Sequence, residues 1–167
     1  MGSLMTDLRV TYYDGERPVV RDGFERLIKV EREISHLDLP GRQVFAAELT
    51  YGGLRGFGVL HKPNGSTPTL VIHAERSHAE RHFQITGCSV LNQIDLSAVT
   101  HRLVNPYVDV RVVVIGREDG DFEGYVTFTD HHQRHSFEAV ESAVHAQEVF
   151  DQKGRYGLMV TRWRYEE

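Results

Sequence analysis

The sequence has few of the features that define secreted, membrane-spanning or nucleic-acid-binding proteins. It has one cysteine, Cys88, in 167 residues, which excludes an internal disulfide and is typical of a reducing cytoplasm. No apolar run approaches the roughly 18 residues of a membrane span, and the first residues lack the order of a secretory signal. The formal net charge of −5 with neutral histidines disfavours nonspecific binding to nucleic acid or anionic membrane. We expect a cytoplasmic protein that binds neither.

Signatures of catalysis are also missing. Gly52, Gly53, Gly56 and Gly58 lack the spacing and the strand-to-helix context of a phosphate-binding loop. Cys88 has no second cysteine at redox spacing. No Ser-His-Asp arrangement can be assigned from the sequence. The sequence therefore names no reaction.

The length and composition are those of one ordinary globular domain. Hydrophobic residues make up 40% and charged residues 26% of the chain, and 167 residues can bury about two-thirds of the unfolded surface. Met1-Gly2-Ser3-Leu4 in front of Met5 resembles a cloning remnant. We expect a single globular domain over residues 5–167.

Turn residues separate short β-rich runs in two parts of the chain. Gly52-Gly53 and Asn64-Gly65 predict the turns of a first antiparallel meander, and Asp119-Gly120 predicts a turn in a second. The doubly apolar end of the run at 107–115 predicts a central strand. The predicted strands are Arg9–Tyr13, Gln43–Tyr51, Leu54–His61, Thr69–Glu75, Phe83–Leu91, 107–115 and Phe122–Asp130.

Helices are predicted from apolar spacing and from capping residues. Residues 22–34 fit either a capped helix or an alternating strand, and we favour the helix. A short helix is predicted over Asp95–Val104, and a long one from about Ser136 to Gln152, ended by Gly154. Arg155–Tyr165 then alternates as a closing strand. The predicted buried side of the long helix consists of Phe137, Val140, Val144 and Phe150.

Together these patterns predict an α+β domain. We expect a curved, mainly antiparallel sheet of about seven or eight strands, arranged as two meanders and either open or barrel-like. One long helix and one or two short ones pack against it. Such a sheet either encloses a small-molecule pocket or leaves an edge open to a peptide.

The pattern His-x-x-Arg-His occurs twice, at His78, Arg81 and His82 and again at His131, Arg134 and His135. Imidazole suits both metal ligation and proton transfer near neutral pH. The first copy does not match the zinc-protease motif, because its Glu80 stands two residues after the first histidine. Ser77 and Glu80 instead predict a capped helical turn.

Three interpretations of the two histidine groups stay open. They are solvated loop residues, an anion-binding or acid–base site, or a zinc site built from both groups with Asp130 or Glu80 as an oxygen ligand. Arg81 and Arg134 argue against a divalent metal and favour an anion. We therefore expect no metal or other cofactor, and we take His78, Arg81, His82, His131, Arg134 and His135 as ligand-binding candidates. The acid–base candidates are His73, Asp130 and His131.

Two classes of function follow. We favour a noncatalytic binding or accessory protein that recognises a small anionic molecule, a peptide or a partner protein. Recognition would use a His/Arg-lined pocket or an open sheet edge. The alternative is a small enzyme that uses His and Asp for acid–base chemistry, with or without a metal.

Overall fold

The structure is a computed structural model. It describes residues 9–14, 17–20, 28–51, 53–63, 65, 67–93, 98–115 and 122–166. Contacts within the chain separate two compact units, residues 1–86 and 87–167, and each is described by itself. The expectation of a single domain over residues 5–167 stays a prediction.

The first unit contains a six-stranded sheet with strand order β2-β1-β6-β5-β4-β3. Its neighbouring strands are antiparallel except for β1 and β6, which are parallel. The predicted meander is confirmed as β4, β5 and β6. The strands are β1 (Arg9–Asp14), β2 (Arg17–Val20), β3 (Ile28–Leu39), β4 (Arg42–Tyr51), β5 (Leu54–Lys62) and β6 (Thr69–His73).

A glycine in the left-handed region forms the predicted turn between β4 and β5. Gly53 has a φ of 81°, which a residue without a Cβ adopts at little cost. The predicted turn residues Gly52, Asn64, Asp119 and Gly120 lie outside the described residues. The Gly53 hairpin sets Ala47 opposite Gly58 and Phe45 opposite Leu60, and this register positions the cavity described below.

The second unit contains a four-stranded antiparallel sheet with order β10-β9-β8-β7 and a long helix. Its strands are β7 (Val99–Val104), β8 (Val108–Ile115), β9 (Glu123–Asp130) and β10 (His135–Val140). β8 pairs with strands on both sides, which confirms the prediction of a central strand. Its Val110 and Val112 pack in one core with Val126, Ala146 and Val149.

The α+β class and the mainly antiparallel pairing are confirmed. Within the described residues both sheets are open. The two described helices are α1 (Arg76–Asn92) and α2 (Ala143–Glu166), and neither is long and apolar enough to cross a membrane.

The prediction of a strand at Phe83–Leu91 is wrong, because these residues belong to helix α1. The buried residues Ala79, Phe83, Gly87 and Leu91 recur every four positions, which is helical spacing. Ser77 and Glu80 were expected to form only a short helical turn; they stand in the first turns of a helix of 17 residues.

Two predicted helices are strands. Residues 28–34 lie in β3, so the favoured helix is wrong there and the alternating interpretation is right, while residues 22–27 lie outside the described part. Residues 99–104 form β7 instead of a helix, and residues 94–97 are likewise outside. β3 is hydrogen-bonded to β4, and β7 is hydrogen-bonded to β8. Such strand pairing overrides the weak helix propensity of these two segments.

The C-terminal prediction is wrong in its boundaries. His135–Val140 is strand β10, and α2 begins at Ala143 and continues through Gly154 to Glu166, so Arg155–Tyr165 is no strand. The Ser142 hydroxyl accepts a hydrogen bond of 3.0 Å from the His145 amide and so caps the N-terminus of α2. Val144 is 69% exposed and is not part of the core.

Candidate functional site

Two imidazoles of the first unit are paired at the junction of β6 and α1. His73 ends β6 and His82 lies two turns into α1. The distance from His73 Nε2 to His82 Nδ1 is 3.0 Å, and the rings meet edge to face with centroids 5.1 Å apart. Burial, followed by the charges of His82 and His78, lowers the pKa of His73 to about 4. His73 is therefore neutral at pH 7.

His82 is also held in its neutral form. Burial is the main cause that lowers the pKa of His82, and the charge of His61 adds to it. Burial and Arg42 lower the pKa of His61 in turn. His61 Nε2 is buried and has no hydrogen-bond partner within the described residues. The structure thus places three neutral imidazoles on one side of the sheet. His61 of β5 is paired with Thr69 of β6, and Thr69 and His73 lie four positions apart on β6, so His61 and His73 point to the same side.

The other members of the first His-x-x-Arg-His group are exposed. The side chain of His78 is 58% exposed, and its Nε2 lies 3.3 Å from Glu75 Oε2. Arg81 is exposed on α1. Arg76 Nε donates to Glu80 Oε1 at 2.9 Å, so one arginine of this helix is partly neutralised by a carboxylate.

The second His-x-x-Arg-His group forms the turn between β9 and β10, and Asp130 organises that turn. The buried Asp130 carboxylate accepts hydrogen bonds from the backbone amides of His132 and Arg134 at 2.9 and 3.0 Å. Arg134 Nε donates to the same carboxylate at 2.7 Å. Gln133 adopts a φ of 62°, and its amide donates to the Asp130 carbonyl at 3.0 Å. Asp130 and Arg134 therefore hold the turn together.

Burial alone would raise the pKa of the Asp130 carboxyl. The hydrogen bonds from Arg134 and His132, together with the charge of Arg134, outweigh this effect and lower the pKa below its ordinary value. A carboxylate that already accepts three hydrogen bonds is a weak base. The proposed acid–base use of Asp130 thus has little support from its surroundings.

His131 and His135 have different surroundings in this turn. The exposed His131 ring lies 3.9 Å from His132 and 6.4 Å from Tyr156, measured between ring centroids. His135 Nδ1 lies 2.9 Å from the hydroxyl of Thr129, its partner across the strands. The two copies of the pattern belong to different units, and each is a local feature of its own unit.

An apolar cavity of about 420 Å³ lies on the first sheet. Because side chains alternate along a strand, it opens on the side of Leu60 and Leu70, while His61 and His73 point to the other side. Its lining comes from four neighbouring strands, and Glu33 is the one charged residue among the described lining positions. The lining residues are Ile28, Val30, Glu33, Phe45, Ala47, Leu49, Gly58, Leu60 and Leu70.

Within the described residues, no group of three or more His, Cys, Asp or Glu side chains could hold a metal ion. The thiol of Cys88 is buried in α1. Burial raises its pKa, so the thiol stays protonated at neutral pH, which argues against a nucleophile.

Sequence reasoning missed both the cavity and the His73–His82 pair. A signal for the pair was the capping pattern of Ser77 and Glu80 directly after the predicted strand Thr69–Glu75, which implies a short connection that turns the helix back over the strand end. The cavity had no comparable signal. Its lining depends on the register of four strands, including β3, for which a helix was favoured.

Comparison with known proteins adds no relationship: the chain matches no protein-family model, and no curated protein matches it in sequence.

Proposed function

We propose that this chain is a noncatalytic binding protein for a small, mainly apolar molecule, which it holds in the cavity of the first sheet. The single observation that supports the proposal is the apolar cavity of about 420 Å³. Small-molecule sites are mostly apolar clefts of roughly 300–1,000 Å³ with a few placed polar groups. The cavity has both the size and the lining of such a site.

The lining favours a particular ligand chemistry. Glu33 would attract a cationic or hydrogen-bond-donating end of the ligand and disfavour an anionic one. The remaining described lining residues are apolar or glycine, so burying a hydrocarbon chain or an aromatic ring against them is favourable. This proposal departs from a His/Arg-lined pocket, since the described lining contains neither residue.

Gly58 contributes room between two leucines. A Cβ at this position would lie 2.6 Å from Leu49 Cδ1 and 2.9 Å from Leu70 Cδ1. These distances are shorter than ordinary contacts, so a side chain at 58 would push the leucines into the cavity space. The glycine is therefore part of what keeps the lining in its observed form.

A neutral fluorescent naphthylamine probe tests the proposal. We expect saturable binding to the full chain and a loss of affinity of at least about tenfold in Ala47→Phe. The added ring would occupy the cavity, and overpacking costs of order 1–3 kcal/mol. Circular dichroism and the melting temperature would show whether Ala47→Phe is folded, and Glu33→Gln should bind the neutral probe as well as the wild type does.

Ala139→Phe is the matched control, because Ala139 is an exposed strand residue of the second unit. It should bind the probe with unchanged affinity. The proposal fails if the wild type shows no saturable binding, or if a folded Ala47→Phe variant binds as the wild type does.

The other expectations stay proposals of lower rank. An anionic molecule or peptide at the His-x-x-Arg-His groups is supported by the sequence pattern alone, and a partner protein along the edge strand β3 by the open sheet edge alone. A small enzyme remains the alternative, although its candidate Asp130 is engaged in a turn. We also propose a cytoplasmic location, which the single cysteine supports.

A further inference from the structure

The hydrogen bond between His73 and His82 depends on the protonation state of the two rings. His73 Nε2 and His82 Nδ1 lie 3.0 Å apart. One of these nitrogens donates its N–H and the other accepts with a lone pair, so at least one of them must carry no proton. When both rings are protonated, two N–H donors face each other and the hydrogen bond is lost. This bond joins the end of β6 to α1, so its loss would weaken the attachment of the helix to the strand.

A third imidazole adds to the sensitivity of this pair to protons. His61 of β5 points to the same side of the sheet as His73. Its Nε2 is buried and has no hydrogen-bond partner within the described residues. A proton on this nitrogen would bury a positive charge and a donor without an acceptor, which disfavours the folded state. The charge of His61 also acts on His82, so the three rings oppose one another's protonation.

The neighbouring charges that act on these rings are positive and come from both sides of the contact. Arg42, the first residue of β4, lowers the pKa of His61. His82 and His78 of α1 lower the pKa of His73. Burial is the larger cause in both cases, and the positive charges act in the same direction.

The carboxylates at the start of α1 lie beside other groups. Glu75 Oε2 is 3.3 Å from His78 Nε2, and Glu80 Oε1 is 2.9 Å from Arg76 Nε. The side chains of Glu75 and Glu80 are 67% and 51% exposed, so solvent screens their attraction for a protonated imidazole. Arg81, which precedes His82 in the chain, is exposed and adds a positive charge.

We propose that His61, His73 and His82 form an acid-sensitive latch that holds the first half of α1, residues 76–86, to the strands β5 and β6. At neutral pH the rings are neutral and the His73–His82 hydrogen bond closes the latch. Acidification protonates the rings, breaks this bond and separates residues 76–86 from the strands. The latch lies on the opposite side of the sheet from the apolar cavity, since His73 and Ile72 alternate along β6. It does not depend on the function proposed above.

The sign of the pH dependence follows from proton binding. The pKa of His73 is about 4 in the closed latch, against an ordinary value of 6.5. Between these two values the open form binds more protons than the closed form, so the closed form loses stability as the pH falls from 6.5 toward 4. The lowered pKa values of His61 and His82 act in the same direction.

Amide hydrogen exchange of the full chain at pH 7 and pH 5, corrected for the intrinsic pH dependence of exchange, tests the latch. We expect the opening constant of residues 76–86 to rise at least about fivefold at pH 5. In a double variant of His73→Gln and His82→Gln it should rise less than about twofold, because glutamine can still form hydrogen bonds but does not titrate. Residues 87–92 of the same helix are the internal reference, since global unfolding would change both segments equally.

His36→Gln is the matched control in the same unit, because His36 is an exposed imidazole that lies 3.3 Å from Glu33. This variant should respond to acid as the wild type does. NMR titration of the wild-type imidazoles gives a second measurement that needs no variant, and it should show His73 titrating well below 6.5. A His73 that titrates at 6.5 or above would overturn the proposal. An unchanged opening constant of residues 76–86 at pH 5 in the wild type, or a folded double variant that responds as the wild type does, would overturn it as well.

Discussion

Asp130 is a nearly buried carboxylate, 6% exposed, whose three accepted hydrogen bonds close the turn between β9 and β10. Its bonds to the amides of His132 and Arg134 satisfy backbone donors that the strand ladder leaves unpaired. Its hydrogen bond from the Arg134 guanidinium pairs the negative charge of the carboxylate with a positive one. The role of this residue is thus to define local backbone geometry.

Replacing Asp130 by asparagine should destabilise the fold by about 1–2 kcal/mol at pH 7, since hydrogen bonds to charged groups contribute more than neutral ones. The folded pKa of Asp130 lies below its ordinary value of 3.8. Its stabilising effect is therefore complete above pH 3.8 and is lost as the pH falls through the folded pKa. Urea unfolding of the wild type and Asp130→Asn should show a difference at pH 7 that narrows below pH 3.8.

Asp151→Asn is the control for this prediction. Asp151 is exposed on α2 and accepts a hydrogen bond from neutral Gln147 at 2.9 Å, so its replacement should change stability by less than about 0.5 kcal/mol. A difference between Asp130→Asn and the wild type that is constant from pH 7 to pH 2 would refute the role of the charge.

At the scale of elements, two glycines lie inside helices and meet different neighbours. A Cβ on Gly87 of α1 would overlap the Phe137 ring, with the ring Cζ at 2.7 Å. Among the described residues, a Cβ on Gly154 of α2 would meet only Leu103 Cδ2, at 3.1 Å. Close packing therefore requires glycine at 87, whereas the leucine at 154 is a flexible side chain that can yield.

Replacing these two glycines by alanine should change the free energy of unfolding in opposite directions. Gly87→Ala should destabilise by about 1–3 kcal/mol through overpacking, despite the better helix propensity of alanine. Gly154→Ala should be neutral or stabilise by up to about 1 kcal/mol. Chemical unfolding of both variants measures the difference. Equal effects would show that propensity alone governs both positions.

Element types were predictable where turn chemistry and strand alternation agreed. Gly53 between two β-rich runs marks the β4–β5 hairpin through its left-handed φ, a purely local preference. Phe83–Leu91 and Arg155–Tyr165 were mistaken for strands because β-rich residues fill them. The helical state of the first segment depends on burial at helical spacing, as for Ala79 and Phe83 of the same helix, and burial is a property of the folded chain.

At the scale of the whole molecule, the net charge predicts how solubility changes with pH. The formal net charge is −5 at pH 7, and the isoelectric point is near 6.0, so acidification removes the mutual repulsion of the molecules. Solubility under a precipitant should pass through a minimum near pH 6 and rise toward pH 8.

Added negative charge at exposed positions should move that minimum to lower pH. Ser35→Asp combined with Gln152→Glu changes two exposed side chains and leaves the cores untouched. A minimum that stays in place would indicate self-association through a specific surface, because net charge could then not be the cause.

The histidine pair was predictable only in part, because one of the two relationships that build it joins residues that are close in sequence and the other does not. His78 and His82 were identified from spacing alone, because the helix that relates them is local. The partner of His82 is His73, and that contact requires a strand to end and a helix to fold back above it. The histidine pair therefore combines one relationship readable in the sequence with one that appears only in three dimensions.

Composition, charge and turn residues are properties of the chain as written, and they were enough for the α+β class, the two meanders and the central position of β8. These features follow from preferences that act within a few residues. The apolar cavity is different in origin. It exists because β3, β4, β5 and β6 pair in one register that sets Ala47 beside Gly58. Shifting that register by one residue would turn the same side chains to the other side of the sheet, so tertiary pairing alone creates the site.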